Sequence, residues 1–597
     1  MTKDIFNYIT EQENVFALPI SINGWDWSMK DHIKTSFYYK HGRLLNGNDE
    51  DTPVKNIVRR MLTLQYTAED VDVKDIDLYV DDPESFHLSF LVKKYHDDVF
   101  VRENDIDNFL DDLKESKVDY GAGLAKKVEG VCPEVVDLQS IAFCDQTDLM
   151  KGPIGIKHFY NPDELKEMEK KGWGNKKNGA TVAIDELILS SETYKVQDKF
   201  TGQPNQTPGS YIEVYEIHGV LPKSFLDDSD DDDKFVRQFQ IVAFYKGASD
   251  KKVGVCLFRA EEKENSFKLV LRDKVFGRTL GYGGVEELFE AQVWTNYDVI
   301  RIKDMLDAAS KTILKSVGGE FKKRFPNGLK NLDNLEVIEL NQGEDLGQID
   351  TTPRSMALFE RSLIDWENHA QRTASATDAM LGEKADRAEP FRSQERQVIQ
   401  GKTLHDYRKG KYAKDIEWIY TNWLIPSIVD KITQGSRFLS QLSVDEMRFV
   451  ADKVATKYAN DKMIEMKLMD EEPTEEIKQQ LLQEYKQAFH KKGNKHFIEI
   501  LKGEFKKQPL KVKVNVVGKQ KNLGLMVDKL TNIFRQIFAN PQGFQQTMAI
   551  PGMEDVFNGI LEYSGFSPVN FQGLSQPPSP QGIPSPIQPS ELLANNQ

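Results

Sequence analysis

From Val285 onward, apolar or small residues recur at Leu288, Thr295, Val299, Ile302, Leu306, Ala309 and Ile313, and past Thr295 the spacing alternates between three and four. That period places them on one stripe of a long amphipathic helix. A second helix opens at Thr352, an N-cap residue followed by Pro353 at the first helical position. Its stripe holds Phe359, Leu363, Trp366, Ala370, Thr373 and Thr377. At about 1.5 Å per residue each pattern spans roughly 40–50 Å, more than one ordinary subunit buries, so the two helices are expected to pack on neighbours or on copies of themselves.

Between them, Phe321 to Gln348 begins with the basic run Lys322, Lys323, Arg324, continues through Pro326 and Asn327-Gly328, and reaches Leu335 to Leu340. This reads as a turn and one or two strands at the tip of a helical hairpin. The basic run suits either an acidic partner or a solvated loop. The second helix runs out at Met380-Leu381-Gly382, and a charged loop from Glu383 to Arg392 leads into a third helix near Ser393. Arg396 stands where a capping box would need an acid. Tyr412, Ile416, Ile419 and Trp423 continue that helix, with a kink or stop expected near Pro426. Arg408, Lys409, Lys411 and Lys414 read as a solvated face or as phosphate contacts.

Upstream, residues 1 to about 130 are polar and helical in texture, with helices expected at Val54 to Leu64 and Asp105 to Glu115. Gly121 to Phe276 changes to short β-branched and aromatic runs: Val135-Val136, Thr181 to Ile184, Tyr211 to Ile217, Gln240 to Tyr245 and Gly254 to Phe258. The fold class is therefore α+β. Downstream, Ser443 and Glu446 form a capping signature, Pro473-Thr474 opens another helix, and Lys491-Lys492-Gly493 closes it. Val512, Val514 and Val516 alternate with polar residues as a strand, a last helix is expected at about Leu523 to Ala539, and the Pro/Ser/Gln-rich end from Ser575 reads as a disordered tail.

The chain of 597 residues carries 78 Lys plus Arg against 94 Asp plus Glu, a net charge of −16 that argues against a nucleic-acid wrapper. Cys132, Cys144 and Cys256 form neither a disulfide framework nor a metal-ligand spacing, and fit a reducing compartment. A signal-type apolar core at the N-terminus and a run of about eighteen apolar residues are both lacking, so a soluble protein without a membrane partner is expected. The sequence has no G-x-x-x-x-G-K-[ST] loop, no H-E-x-x-H and no C-x-x-C pair. Gly401-Lys402-Thr403 lacks the preceding glycine of a phosphate loop, because Arg396 stands there, and Gly281-Tyr282-Gly283-Gly284 lacks the third glycine of a dinucleotide fingerprint. Asp227 to Asp233 is nearly all carboxylate and reads as a solvated loop rather than a calcium loop, whose glycine and distal glutamate are missing. No catalytic residue, cofactor or metal is expected.

The run Gly281 to Leu288, followed by Gln292 and Asn296 within a long helix, resembles the entry into the first stem helix of the portal proteins of tailed double-stranded DNA phages, podovirus-like in their size. Leu335 to Leu340 is similar to their clip strand, Pro353 to Leu381 to their second stem helix, and 382–392 falls where they carry a tunnel loop. Val131 to Val135 and Tyr160 to Leu165 look like wing segments, and Asn540-Pro541 with Gly565-Phe566 is similar to the C-terminal region; the resemblance covers roughly 120–570. It implies a wing of N-terminal helices and a β-rich part (1–280), stem helix 1 (281–316), a small α/β clip (317–351), stem helix 2 (352–381), the tunnel loop (382–392), a long wing- or crown-proximal helix (393–434), a helical crown and C-terminal region (435–574) and a disordered tail (575–597).

It further implies a homo-oligomeric ring of about twelve subunits, closed so that no edge is left exposed. The ring would sit at the portal vertex of a virion, assemble in the host bacterial cytoplasm, and pass double-stranded DNA during packaging and ejection. Its partners would be the major capsid protein, the large terminase subunit and a head–tail adaptor. Expected stem contacts are Leu288, Val299, Ile302, Leu306, Phe359, Leu363 and Trp366. The tunnel loop would use Gly382, Glu383, Lys384, Asp386, Arg387 and Arg392, and the clip would meet partners through Lys322, Lys323 and Arg324. The acidic run and the tail depart from the family pattern. Alternatives are an internal virion or scaffold protein that forms no ring, and a metal-dependent DNA-processing enzyme built on Asp227 to Asp233.

Overall fold

A computed structural model describes residues 5–43, 53–80, 86–128, 132–190, 211–227, 234–246, 252–310, 314–317, 323, 340, 342–343, 345–348, 356–376, 391–434, 444–469, 472, 474–487, 511–514 and 535. The chain divides into two compact units: Met1–Ile76 with Val101–Leu424, and Asp77–Phe100 with Ile425–Gln597.

The first unit opens with α1 (Ile5–Phe16), the hairpin β1 (Ile20–Ile22) and β2 (Trp25–Trp27), α2 (Met29–Lys40) and α3 (Val58–Ala68). The chain then runs through β3 (Ile76–Tyr79) and α4 (Phe86–Tyr95) and re-enters the first unit with α5 (Val101–Asn104) and α6 (Ile106–Tyr120). The sheet-forming segment comes after it: β4 (Ala122–Lys126), β5 (Glu134–Val136), β6 (Ile141–Phe143), β7 (Ile154–Tyr160), α7 (Pro162–Glu167), α8 (Ile184–Ser190), β8 (Ile212–Pro222), α9 (Ser224–Asp227), β9 (Phe235–Lys246), β10 (Lys252–Glu261) and β11 (Phe267–Leu271). These strands make a five-stranded antiparallel sheet in the order β10-β9-β8-β7-β6 and a three-stranded one in the order β11-β4-β5.

Strand alternation sends successive residues to opposite faces, and both faces of the larger sheet are covered. Tyr215, Ile217, Val242 and Phe244 join the core shared with α1, Leu124 and Phe267. Their neighbours Val214, Ile241 and Ala243 pack on the other face with Leu165, Ile184 and Leu187 of α7 and α8. The expected strand at Thr181 to Ile184 is not one: Ile184 opens α8, because its side chain and Leu187 are needed as the helical cover of that face.

The long helices come next: α10 (Gly284–Ala309), the antiparallel ribbon of β12 (Leu314–Val317) and β13 (Asp345–Gln348), α11 (Met356–Thr373) and α12 (Phe391–Ile419). The first helix is shorter at its far end than the stripe predicts, since Leu314 and its successors leave the helix to pair with 345–348. The second ends at Thr373, where Ser375 takes a left-handed conformation with φ 52°. Arg392 lies in α12 rather than in a loop. At the expected kink, Tyr420–Leu424 widen into a π-helical turn just before Pro426, whose missing N–H breaks the regular ladder.

In the second unit, α13 (Ile425–Gln434) and α14 (Val444–Leu468) are joined by a helical stretch at 475–487 and by β14 (Lys511–Val514), which pairs with β3. Its apolar positions Leu88, Leu91, Val92, Ile428, Val450, Val454 and Ala459 are buried. The capping residue Ser443, Leu335 to Glu339, the acidic positions 228–233, residues 382–390 and the tail lie outside the described residues.

Candidate functional site

The base of the helical hairpin is built on close backbone contact. Gly121 is left-handed at φ 79°, and a Cβ on Gly283 would come within 2.5 Å of the Asp119 carbonyl oxygen, so the Gly281–Gly284 loop lies directly on the turn between α6 and β4. Tyr282 N–H donates to the Asp273 carbonyl at 2.8 Å. The glycines therefore serve packing, not phosphate.

Gln292 and Asn296, one helical turn apart on α10, close the N-terminus of α3. The Gln292 Oε1 accepts from Ile57 and Val58 N–H at 2.8 and 3.3 Å, and its Nε2 donates to the Lys55 carbonyl at 2.8 Å. Asn296 Oδ1 accepts from Gln292 Nε2 at 2.9 Å and from Lys55 N–H at 3.2 Å. Helix N-termini leave their first N–H groups without intrahelical partners, and here two side chains from a distant helix supply acceptors and fix the register. This is why α3 begins at Val58, later than the apolar pattern places it.

The two glutamates in the first turn of α10 do different work. Glu286 pairs with Arg278 at 2.7 and 3.0 Å in a two-pronged contact. Glu287 accepts from Arg272 and Arg408, each at 3.1 Å, and from Gln65 at 3.2 Å. Behind it, fully buried Glu69 at the end of α3 binds Lys117 of α6 at 2.8 Å and Arg272 at 3.0 Å. At the edge of this cluster His405 of α12 donates through Nε2 to the Ala374 carbonyl at 3.1 Å, since a carbonyl oxygen can only accept. Burial alone pushes the Glu69 carboxyl up, and His405, Lys117 and Arg272 around it more than reverse that, holding it well below the usual carboxylate range.

Arg408 is thus buried, bonded to Asp273 at 2.8 Å as well as to Glu287. Lys409 pairs with Asp75 at 3.5 Å and Lys411 with Asp273 at 3.6 Å, while Lys414 is exposed. The reading of this run as a solvated or phosphate-binding face is corrected: three of its four cations tie α12 to its own unit.

Beyond the base, α10 and α11 run antiparallel. Trp294 stacks on Trp366 at 6.0 Å with 9° between the rings, and Ala370 shares a core cluster with Val285, Leu288 and Ala291. Burial falls off along the hairpin. Every buried residue of α10 lies between Gly284 and Asp298, and α11 buries Ala370 alone among its described side chains. Farther out, Leu306 is 48% exposed, Leu358 70% and Ile364 55%.

The expected stem contacts divide accordingly. Leu288 is fully enclosed by the chain's own core and is unavailable to a neighbour. Val299, Ile302, Phe359, Leu363 and Trp366 are half-buried, and Leu306 is open. Of the expected clip contacts, Lys323 is described and exposed, whereas Lys322 and Arg324 lie outside the described residues. Of the tunnel-loop residues, Arg392 is placed within α12; Gly382, Glu383, Lys384, Asp386 and Arg387 lie outside. The sequence pattern missed Glu69, Lys117, Arg272 and His405, which carry no local signature.

Among the described residues no group of His, Cys, Asp and Glu is placed to hold a metal ion, and no helix is long and apolar enough to cross a membrane. None of the three cysteines is in a disulfide, and burial raises the Cys132 thiol to about 12.

No protein-family profile matches the chain, and no curated protein matches it. Among solved structures, the neck of an empty gene transfer agent particle, computed with C6 symmetry, overlays at 10% identity with a TM-score of 0.34, covering 74% of this chain and 98% of that one. The virion of a native gene transfer agent particle gives 10% identity and a TM-score of 0.33 over the same shares. Overlays this loose establish neither a shared fold nor a shared role.

Proposed function

We propose that the chain is a portal-type ring protein of a phage-like particle, a non-enzymatic conduit for double-stranded DNA at one capsid vertex. The observation that carries this reading is the uneven burial of the helical hairpin. Its base is locked into the chain by glycine contacts, helix capping and buried ion pairs. Its outer part presents Leu306, Leu358 and Ile364 to solvent. Large apolar side chains exposed on a two-helix hairpin favour lateral association, each contributing about 1.5–3 kcal/mol when fully covered. Repeated around an axis, such contacts close a ring and leave no sticky edge. About twelve copies would total on the order of −190 charges, a wall along which a polyanion slides without adhering.

In this reading the ribbon β12–β13 begins the clip that meets the packaging motor and later the adaptor, and 382–390 enters the channel. The test is electron microscopy of the purified full chain, with a central hole and a countable ring of subunits as the expected result. Leu306→Asp or Leu363→Asp should cut ring yield on size exclusion severalfold, and Lys384→Ala should leave it unchanged. A monodisperse monomer, or equal yields for all three variants, would overturn the assignment of the hairpin as the ring contact.

A further inference from the structure

His218, on the central strand β8, sits where the three-stranded sheet packs on the five-stranded one. Its ring stacks on Phe239 of β9 at 4.5 Å and meets the edge of Phe267 of β11 at 4.9 Å, and its side chain is 6% exposed. Both ring nitrogens face carboxylates: Nε2 is 2.9 Å from Glu216 Oε1, and Nδ1 is 3.0 Å from Glu262 Oε1. An ionised carboxylate only accepts hydrogen bonds, so two such partners require an N–H on each nitrogen, which is the imidazolium.

The surrounding groups keep both carboxylates ionised. Glu216 also takes Lys126 of β4 at 2.5 Å and His158 of β7 at 2.9 Å. Glu262, just after β10, takes the Ser266 hydroxyl at 2.6 Å and lies 3.6 Å from Arg237 of β9. Burial lowers the His218 proton affinity, and the two carboxylates outweigh it, leaving the group raised above its ordinary value. Burial likewise pushes Glu216 and Glu262 up, and their cationic and hydrogen-bonding partners bring both below the usual range.

We propose that His218 is a protonated staple that holds the turn between β10 and β11 to the central strand β8 through Glu262, and that loss of its proton as pH rises releases that turn. The two carboxylates do not depend on it equally. Glu216 keeps Lys126 and His158 when the imidazolium is gone. Glu262 keeps Ser266 and a long contact to Arg237, and its buried Oε2 already lacks a hydrogen-bond partner. Because folding raises the proton affinity of His218, the staple is fully present below the unfolded value of about 6.5 and is lost as pH rises through the higher folded value.

The experiment is a thermal-unfolding series on the full chain from pH 6 to 9.5 for wild type, His218→Gln and Glu262→Gln. Across that range the wild-type midpoint should fall about 2–4 °C more than that of His218→Gln, which has no proton to lose there. Glu262→Gln removes one carboxylate, so its fall should set in at lower pH than in the wild type. If His218→Gln does not fold, the shift in the Glu262→Gln profile decides the matter. Profiles for the folded variants that run parallel to the wild type, displaced but not reshaped, would reduce His218 to ordinary packing and overturn the proposal.

Discussion

Gln292 shows how much one side chain can organise. Its carboxamide satisfies two N–H groups at the start of α3 and one carbonyl before it, so a hydrocarbon there orphans three backbone groups at once. Gln292→Leu should cost about 1–3 kcal/mol, seen as a lower urea midpoint with unchanged slope. Glu69→Gln removes the carboxylate that balances Lys117 and Arg272, and should cost about 3–5 kcal/mol at neutral pH. Because the folded Glu69 carboxyl is held low, its contribution is present above the unfolded value of about 4.3 and is lost as pH falls through the folded one. The wild type should therefore lose stability between pH 5 and 3 that the Gln variant never had, measurable by pH-dependent thermal scans. At this scale the sequence was only half readable. Gln292 and Asn296 stand out as a motif, but nothing local says that their partner is the start of a helix some 230 residues earlier. Glu69 and Arg272, 203 positions apart, leave no periodic trace at all.

Periodicity locates whole elements better than it locates their ends. The apolar stripes of α10 and α11 were legible because a 3.6-residue repeat persists over many turns. The end of α10 was not, since the stripe runs on to Ile313 while the helix stops at Ala309 and Leu314 already pairs with Gln348. Alternating β-branched runs marked β8, β9 and β10 correctly, and the same residue types at Thr181 to Ile184 misled because a short apolar run fits either a strand or a helix. The ribbon's register suggests a test. Val317 pairs with Asp345, so replacing residues 318–344 by a two-residue Asn-Gly turn should close the ribbon as a hairpin. We expect unchanged helical circular dichroism and a thermal midpoint within about 2 °C of the parent, for a hairpin whose fold resides in α10 and α11 and not in the insert. A broad loss of helical signal would show that the insert holds the hairpin together.

Taken as a whole, the molecule is acidic, and its buried arginines Arg272, Arg278 and Arg408 are engaged with carboxylates of the same chain. Duplex DNA should therefore bind weakly and without sequence preference. In gel-shift titrations at 0.15 M salt, we expect no saturation below about 10 μM protein, and affinity that declines further as salt is raised. Tight, salt-resistant binding would contradict a sliding surface. The division into two units was invisible in the sequence, where residues 77–100 read as a continuation of the N-terminal helices. They are grouped instead with residues some 350 positions later, an arrangement that no windowed reading of hydrophobicity can detect.

That interleaved connectivity restricts how the protein can be dissected. A fragment beginning at Ile425 would leave behind Leu88, Leu91 and Val92, and one ending at Leu424 would carry them without the helices grouped with them. Simple truncation at this junction thus yields two aggregation-prone halves. A severed second unit becomes an independent specimen only if 77–100 is grafted onto the downstream piece, with Ile76 rejoined to Val101 by a linker in the other.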